Sequence, residues 1–449
     1  MMNVKIAVAI IIIALLTLAA LILMKVPQAN HSTTQVHADS SNTSSSTKTS
    51  RNVSVTELSS SGREAIFIAR RNLSKKPNVP QYVMGLSVPS HAILKIKDKI
   101  YALGGYEPVG VAVILSEDLR PLCHVELEYE IYRAEKYDED RFVAMQQWYS
   151  QPGSIAMFDS ELNLIWSIEG NFTDFRVANG KIYVIESRSG FLESRSGPYY
   201  LNIFDGNGNL IRSFKALDVK EIAGRTVVQF LLNIEVNDGK IYIPYVSGEA
   251  EGPYKLMLLR FDEKGNLELK KVIYETKENM DRTYIYSYKD GFLLAIEGPI
   301  CRYIYIDGEG NIVWKAGWKP PLEAGFRNCW GRAKVLNDRI YIFGHDECLF
   351  AGFIGLVDES SLYVIYNESF YYTRVQEIVL QKGGTWQDNS VVYDILSDGD
   401  ELYVIGIVQM SLPSGAFIVR VDPDLKVNIN NLLEQADVIY LEDIPPCKP

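Results

Sequence analysis

The sequence predicts an all-β fold: a seven-bladed β-propeller of four-stranded antiparallel blades, preceded by one N-terminal transmembrane helix and a disordered stalk. Two short motifs recur seven times in a fixed order, and the segments between them read as short strands joined by tight turns. Composition agrees with a globular, strand-rich chain. It has 27 tyrosines in 449 residues, 47% hydrophobic residues and 22% charged residues.

The first motif is an apolar strand with a central aromatic residue, as in KIYAL at 99–103 and KIYVI at 181–185. Turn signals such as Asn-Gly or Asp-Gly precede most copies. Successive copies are about 40–60 residues apart, the repeat length of propeller blades. The aligned aromatic residues are Tyr101, Phe142, Tyr183, Tyr242, Phe292, Tyr341 and Tyr403.

The second motif places an acidic residue or serine before a turn and a further strand, as in IDGEGNIVW at 306–314. Aspartate starts such turns and glycine tolerates a positive φ, so the motif predicts a hairpin turn. A phosphate loop would end in G-K-[ST], and a calcium loop would need a longer acidic pattern. The aligned turn residues are Ser116, Asp159, Asp205, Asp262, Asp307, Asp358 and Asp422.

One four-stranded unit cannot bury both faces of its sheet, so the units must stack on one another. Radial stacking gives a propeller, and seven copies favour seven blades, with six or eight as alternatives. The spacing of Asp307, Gly310, Asn311 and Trp314 resembles the repeats of the quinoprotein-like propeller superfamily. This resemblance covers most of residues 90–430. It implies a propeller and suggests oxidoreductase activity as one possible function.

The N-terminus predicts a membrane anchor at residues 1–25. Ile6–Met24 carries no charge and is long enough to cross most of a hydrocarbon core of about 30 Å. A cleaved signal peptide is the rival interpretation. Residues 26–62 are rich in Ser and Thr and predict a flexible stalk, followed by the propeller at 63–449. Glycosylation sequons in the propeller region occur at Asn72, Asn171 and Asn367.

Charge and metal-ligand spacing exclude several classes of function. A net charge of −11 and a pI near 5.2 argue against a nucleic-acid partner. The histidines of the body are not paired at metal-ligand spacing, so we expect no metal and no cofactor.

The cysteines suggest two disulfides in a chain exposed outside the cell. A turn at Asp338-Arg339 would place Cys329 opposite Cys348, which predicts a bridge between them. A bridge between Cys123 and Cys447 would close the ring near its ends.

The candidate binding residues lie between the second and third strands of the repeats, in connections that emerge on one face of a propeller. The alternative is that their aromatic rings cap the core. These residues are Tyr106, Trp148, Tyr149, Phe191, Glu249 and Glu251. We expect Trp166, Trp314 and the motif tyrosines to pack between blades. His345-Asp346-Glu347-Cys348 is either a catalytic cluster or a polar loop beside a disulfide.

These features predict a single-pass membrane protein with its C-terminal domain outside the cell. Its function would be to bind or scaffold a protein or glycan partner at the cell surface. No catalytic motif of the G-x-S-x-G type is present. The alternative is an extracellular propeller enzyme, either a quinoprotein-like oxidoreductase or a hydrolase.

Overall fold

The computed structural model describes residues 81–85, 91–106, 109–148, 151–188, 198–218, 232–248, 253–318, 328–347, 351–367, 390–407, 414–426 and 437–447. The predicted anchor and stalk lie outside these ranges. Within them, no helix has the length and apolar character that crossing a membrane requires.

Six blades each consist of four consecutive antiparallel strands. Blade 1 comprises β2 (Ala92–Ile96), β3 (Lys99–Tyr106), β4 (Val109–Ser116) and β5 (Pro121–Leu127). Blade 2 comprises β6 (Ile131–Lys136), β7 (Arg141–Trp148), β8 (Gln151–Asp159) and β9 (Leu164–Gly170). Blade 3 comprises β10 (Phe172–Ala178), β11 (Lys181–Ser187), β12 (Tyr199–Phe204) and β13 (Leu210–Leu217).

The next three blades repeat this order. Blade 4 comprises β14 (Glu235–Asn237), β15 (Lys240–Gly248), β16 (Tyr254–Asp262) and β17 (Leu267–Thr276). Blade 5 comprises β18 (Thr283–Tyr288), β19 (Gly291–Ile296), β20 (Cys301–Asp307) and β21 (Ile312–Trp318). Blade 6 comprises β22 (Cys329–Leu336), β23 (Arg339–Asp346), β24 (Ala351–Val357) and β25 (Leu362–Asn367).

Blade 7 joins the two ends of the described chain. Its first three strands are β26 (Val391–Asp398), β27 (Glu401–Ile407) and β28 (Ser414–Val421). The fourth is β1 (Gln81–Gly85), which pairs antiparallel with β28, and β29 (Asp437–Tyr440) then pairs parallel with β1. A short 3-10 helix follows at Leu441–Asp443. The seven-bladed prediction is confirmed, and pairing of an early strand with a late one closes the ring.

The first strand of every blade faces the axis of the ring. Each of these strands contacts the first strands of both neighbouring blades, which encloses a central channel. The apolar core lies between blades, in seven buried clusters that each join two adjacent blades. Burial is therefore shared between neighbouring sheets, as stacked repeats require.

Both sequence motifs occupy the places predicted for them. The first motif forms the second strand of each blade, and the second motif forms the turn after the third strand, which leads into the fourth strand in blades 1 to 6. At the blade 5 turn, Asp307 Oδ1 accepts hydrogen bonds from the backbone nitrogens of Glu309 at 3.0 Å and Asn311 at 2.8 Å. Gly310 has a φ of 73°, a left-handed conformation that glycine adopts without steric cost.

These turns also receive side chains from the preceding blade. The Trp166 indole nitrogen of blade 2 donates to the Gly206 carbonyl of the blade 3 turn at 3.1 Å. Second-strand tyrosines reach the same turns, since the hydroxyls of Tyr101 and Tyr341 donate to the carbonyls of Ser160 at 2.7 Å and Pro423 at 2.9 Å in the next blade. Trp314 packs in the cluster between blades 5 and 6. The prediction that these residues join blades is confirmed.

The predicted bridge between Cys329 and Cys348 is wrong, because Cys329 is bonded to Cys301 of the neighbouring blade. The turn between β22 and β23 is formed by Asn337 and Asp338, both with positive φ, rather than by Asp338 and Arg339. This one-residue difference shifts the register and places Asp346 opposite Cys329. Cys348 lies outside the described residues.

The second predicted bridge, between Cys123 and Cys447, is confirmed. It fastens the C-terminal segment to β5, the outer strand of blade 1. Backbone bonds support it, since the nitrogen of His124 donates to the Pro445 carbonyl at 2.9 Å and the nitrogen of Cys447 donates to the His124 carbonyl at 2.9 Å. The ring is thus closed both by strand pairing in blade 7 and by a covalent bond to blade 1.

Candidate functional site

A cavity of about 460 Å³ lies in the central channel, at the end where the first strands begin. All seven blades contribute to its wall. Its cationic side chains are Arg133, Arg176, Arg282, Arg332 and Lys334. Its carboxylates are Glu135, Asp174, Glu235 and Asp394, and its aromatic rings belong to His91, Tyr132, Tyr284, Tyr286, Phe343 and Tyr393.

The alternation of side chains along a strand explains this polar lining. In β10, Phe175 is buried in the cluster between blades 2 and 3, whereas its neighbours Asp174 and Arg176 line the cavity. Buried charges are stable only when they are paired and hydrogen-bonded, so the lining must form a connected network.

Blades 2, 3 and 4 form an acidic wall, defined here as Arg133, Glu135, Asp174, Arg176 and Glu235. Glu135 Oε1 accepts hydrogen bonds from Arg133 and from Arg176, both at 2.6 Å. Arg133 also pairs with Asp174, and Arg176 donates to Glu235 at 3.1 Å. Three carboxylates therefore share two guanidinium groups across three blades.

Burial of this wall raises the pKa of its carboxyl groups. Desolvation raises the pKa of Glu135 and of Glu235 to about 7 in each case, although Arg133 opposes both shifts. Desolvation raises the pKa of Asp174 to about 6, again against the field of Arg133. Within the cavity, acidic groups of this wall thus titrate close to neutral pH.

His91 lines the cavity between blades 7 and 2, just before the first strand of blade 1. Its ring centre lies 4.3 Å from that of Tyr393 and 5.1 Å from that of Tyr132. Its Nδ1 lies 3.4 Å from Glu130. Burial, together with the positive charge of Arg332, lowers the pKa of His91 to about 3. The imidazole is therefore neutral at physiological pH and adds no cation to the cavity.

Lys334 and Asp394 connect blades 6, 7 and 1. The Lys334 ammonium lies 2.8 Å from Asp394 Oδ1 and donates to the Ile395 carbonyl at 2.6 Å. Asp394 Oδ2 accepts from the backbone nitrogen of Ile93 at 3.1 Å. This pair is internally satisfied, so it holds the wall of the cavity in place.

Two of the predicted binding residues lie at the same end of the ring as this cavity. Tyr106 is the last residue of β3 and Trp148 is the last residue of β7. At this end of the ring, β3 extends beyond the start of β2, and β7 extends beyond the start of β6. The four others lie outside the described residues: Tyr149, Phe191, Glu249 and Glu251.

Two further candidates are buried in the ring. His345 Nδ1 is hydrogen-bonded to the Ser390 carbonyl at 2.7 Å, and burial lowers the pKa of this histidine. It does not line the cavity, which favours the structural interpretation of this cluster. At the Asn171 sequon, the side-chain nitrogen that a glycan would modify is buried, and the Thr173 side chain donates to the Leu232 carbonyl at 3.1 Å.

The other two sequons do not test the glycosylation prediction. Asn367 is the last residue of β25, and Asn72 lies outside the described residues. Among the residues that the structure describes, no group of three His, Cys, Asp or Glu side chains is arranged to hold a metal ion.

Sequence reasoning missed the channel residues, including Arg133, Arg176 and Arg332. A signal for them exists, because the first strand of several repeats carries charged residues within an apolar strand, as in FTDFRVA at 172–178. These residues lie far apart in the chain, and only closure of the ring brings them together.

No family model matches the chain, and no curated protein matches it in sequence. Solved structures resemble it in fold. The acylaminoacyl peptidase of Pyrococcus horikoshii is 10% identical with a TM-score of 0.42, and the match covers 73% of this chain and 49% of that chain. The chain thus spans about half the length of that peptidase.

Two shorter solved chains match over nearly all of their length. The β-propeller domain of the Trilobed protease from Pyrococcus furiosus is 11% identical, with a TM-score of 0.46 and coverage of 76% of this chain and 97% of that chain. The AfRom2 CNH domain is 8% identical, with a TM-score of 0.46 and coverage of 77% and 98%. At such identities the similarity concerns the fold alone.

Proposed function

We propose that the chain is a membrane-anchored binding module, displayed outside the cell, that receives a protein or glycan partner at the mouth of its central channel. The observation that carries this proposal is the cavity to which all seven blades contribute charged or aromatic side chains. Rigid scaffolds commonly bind ligands in concave sites where a few polar groups converge. Tyr106 and Trp148 end their strands at the same end of the ring.

The polar groups of the cavity support binding rather than catalysis. Thr173 donates its hydroxyl hydrogen to the Leu232 carbonyl, and Ser287 lies beside Glu235, where it lowers the pKa of that carboxyl group against the rise that burial causes. Neither hydroxyl is paired with His91, the ring in the cavity that would serve as a base. Both hydroxyls instead stabilise the walls.

The quinoprotein-like oxidoreductase and the hydrolase remain the alternative function. The contact of Trp166 with the next blade supports the resemblance to quinoprotein-like repeats, because a motif tryptophan joins successive blades. That contact concerns blade architecture and lies on the outer strand, away from the channel. It therefore supports a related scaffold more than a related reaction.

The anchor at 1–25 and the position of the propeller outside the cell rest on Ile6–Met24 and on the Ser/Thr-rich segment at 26–62. The test is protease treatment of intact cells that express the full chain. Loss of the propeller from intact cells, with Met1 or Met2 as the mature N-terminus, supports the proposal. A mature N-terminus near residue 30 would contradict the anchor.

Partner binding is tested by chemical cross-linking on intact cells that express the full-length protein, followed by mass spectrometry of its neighbours. Ala134→Trp adds a large ring at a position in the first strand of blade 2 that lines the cavity and packs against the cluster between blades 1 and 2. Ser167→Trp makes the same addition on the exposed outer strand of that blade. Thermal unfolding confirms that both variants fold.

We expect a specific cross-linked neighbour that is retained by Ser167→Trp and lost by folded Ala134→Trp. Retention of the same neighbour by both variants would move the binding surface away from the channel. Turnover of a substrate by the purified full-length protein, without any cross-linked neighbour, would favour the enzyme.

A further inference from the structure

The wall of the cavity formed by blades 5 and 6 has more cationic than anionic groups. Arg282 lies just before β18 and Arg332 lies in β22, and both side chains line the cavity. Glu297 is within ion-pair distance of Arg282, with Oε2 at 3.8 Å from Arg282 Nε, and Asp281, the residue before Arg282, does not line the cavity. Glu297 is 3% exposed and does not line the cavity. This basic wall therefore presents cationic groups to the ligand space.

Tyr284 organises the two arginines. Its hydroxyl donates to Glu297 Oε1 at 3.1 Å, and its side chain lies close to both guanidinium groups. The Arg332 guanidinium carbon also lies 5.6 Å from the centre of the Tyr284 ring, at cation–π distance. The arginine is held by a phenol rather than by a counterion.

Arg332 forms no ion pair within the described part of the chain. Its neighbour His91 is neutral, so this histidine neither repels nor balances the charge of Arg332. A guanidinium has five N–H donors in a fixed plane, so Arg332 offers several donors to a ligand.

The acidic wall has no equivalent surplus of acceptors. Besides their arginine partners, Glu135 accepts from the Val177 nitrogen at 2.8 Å and Asp174 accepts from the Ile234 nitrogen at 3.0 Å. Glu235 accepts from the Val236 nitrogen at 3.3 Å and lies beside Ser287. These bonds use the carboxylates in holding the ring together, so a cationic ligand finds few free acceptors there.

We propose that Arg332 and Arg282 form a subsite for one carboxylate group of the ligand. Glu297 pairs with Arg282, which leaves Arg332 without a counterion among the described residues, and a singly charged anion would supply one. A planar guanidinium also matches a carboxylate with two parallel hydrogen bonds. The subsite rests on the proposed function and adds to it the chemistry of the recognised group.

The test is calorimetric titration of the full-length protein in detergent micelles with two pairs of probes. One pair is N-acetyl-trialanine and its C-terminal amide, and the other is glucuronate and its methyl ester. Within each pair, only the acid has a free carboxylate. Comparison of the two pairs distinguishes a peptide source of the carboxylate from a sugar source. We expect one acid or both to bind saturably, and the neutral analogue at least tenfold more weakly.

Variants assign the binding to the arginine. Arg332→Gln should weaken the acid by at least tenfold, as expected when a charged hydrogen-bond donor is lost. Arg332→Lys, which keeps the charge without the planar fork, should give a smaller loss. Arg212→Gln on the exposed outer strand β13 is the matched control and should bind as the wild type does.

Thermal unfolding establishes that each variant is folded. If Arg332→Gln is unfolded, Arg332→Lys and Arg282→Gln decide the result. Equal binding of acid and neutral analogue, no saturable binding of either acid, or unchanged affinity in the folded arginine variants would each overturn the subsite. Failure of the probes with a cross-linked partner still present would leave the binding module intact. Saturable binding of an acid probe, together with no cross-linked partner on intact cells, would instead contradict the proposed binding module.

Discussion

The Tyr403 hydroxyl lies within hydrogen-bonding distance of the backbone carbonyl of Glu117 at 3.1 Å and of Glu401 Oε2 at 2.9 Å, and the first contact joins the last blade to the first. It is the same contact that Tyr101 makes with Ser160 one blade further on, and that Tyr341 makes with Pro423 at 2.9 Å. Tyr403 and Glu117 are 286 positions apart in the chain, so the bond between them helps to hold the ring closed.

Removal of this hydroxyl should lower the stability of the ring. Tyr403→Phe is expected to reduce the free energy of unfolding by about 1–2 kcal/mol, because the Glu117 carbonyl and the Glu401 carboxylate lose this hydroxyl while the ring still fills its space. Denaturant unfolding of the full-length protein measures the change. Tyr200→Phe is the control, since the Tyr200 ring stacks on Arg188 at the surface of blade 3. Equal losses in the two variants would argue against a role in closure.

The two disulfides should contribute unequally to stability. Cys123–Cys447 spans 324 positions and Cys301–Cys329 spans 28. Closing the longer loop in the unfolded chain costs more entropy, by about 2 kcal/mol in the chain-entropy model. Replacing both cysteines of the first pair by alanine should therefore cost more than the same change in the second pair. Denaturant unfolding of the two double variants tests this, and an equal or reversed order would contradict it.

The repeated parts of the fold could be predicted from the sequence because every blade solves the same packing problem. Tyr101 and Asp307 stand in repeated motifs, and both take the positions that those motifs predict. Strand β1 has no such signal, since its five residues pair with a strand more than 300 positions away and no hairpin turn connects them.

The candidate site could not be predicted for a related reason. Arg332 and His91 meet only across the closed ring, and neither belongs to a repeated motif. The Cys329 error arose from a different cause. A type of turn that begins one residue earlier changes every opposed pair in the hairpin, and the sequence KVLNDRIY permits both turns.

The turn glycines should be sensitive to substitution where a neighbouring blade contacts them. Gly265 has a φ of 91°, and an added Cβ would lie 2.8 Å from the Phe214 ring of blade 3. Gly399 has a φ of 58° with nothing within 4 Å. Alanine at Gly399 should cost about 1–2 kcal/mol from backbone strain alone. Alanine at Gly265 should cost about 1–3 kcal/mol more, from the steric conflict.

Thermal or denaturant unfolding of the two alanine variants measures this difference directly. The comparison separates the contact between blades from the conformational requirement, because both glycines are left-handed. Equal destabilisation of the two variants would mean that Phe214 moves aside at no cost and that the turn does not dock the neighbouring blade tightly.

The acidic wall and His91 should give opposite contributions to the dependence of stability on pH. Burial raises the pKa of Glu235 from 4.5 to about 7, so folding takes up a proton between these values. Its stabilising contribution is complete below about pH 4.5 and is lost as the pH rises through 7. Burial lowers the pKa of His91 from 6.5 to about 3, so its contribution is complete above pH 6.5 and is lost as the pH falls toward 3.

Single substitutions separate the two contributions. Glu235→Gln should remove a decline of at most about 1.4 kcal/mol per pH unit between pH 4.5 and 7, so the variant loses less stability than the wild type as the pH rises. His91→Gln should remove a rise of similar size between pH 3 and 6.5. Denaturant unfolding at half-unit pH intervals measures both slopes. Parallel pH profiles for the wild type and both variants would contradict the burial of these groups, because a solvated side chain has nearly the same proton affinity in the folded and unfolded states.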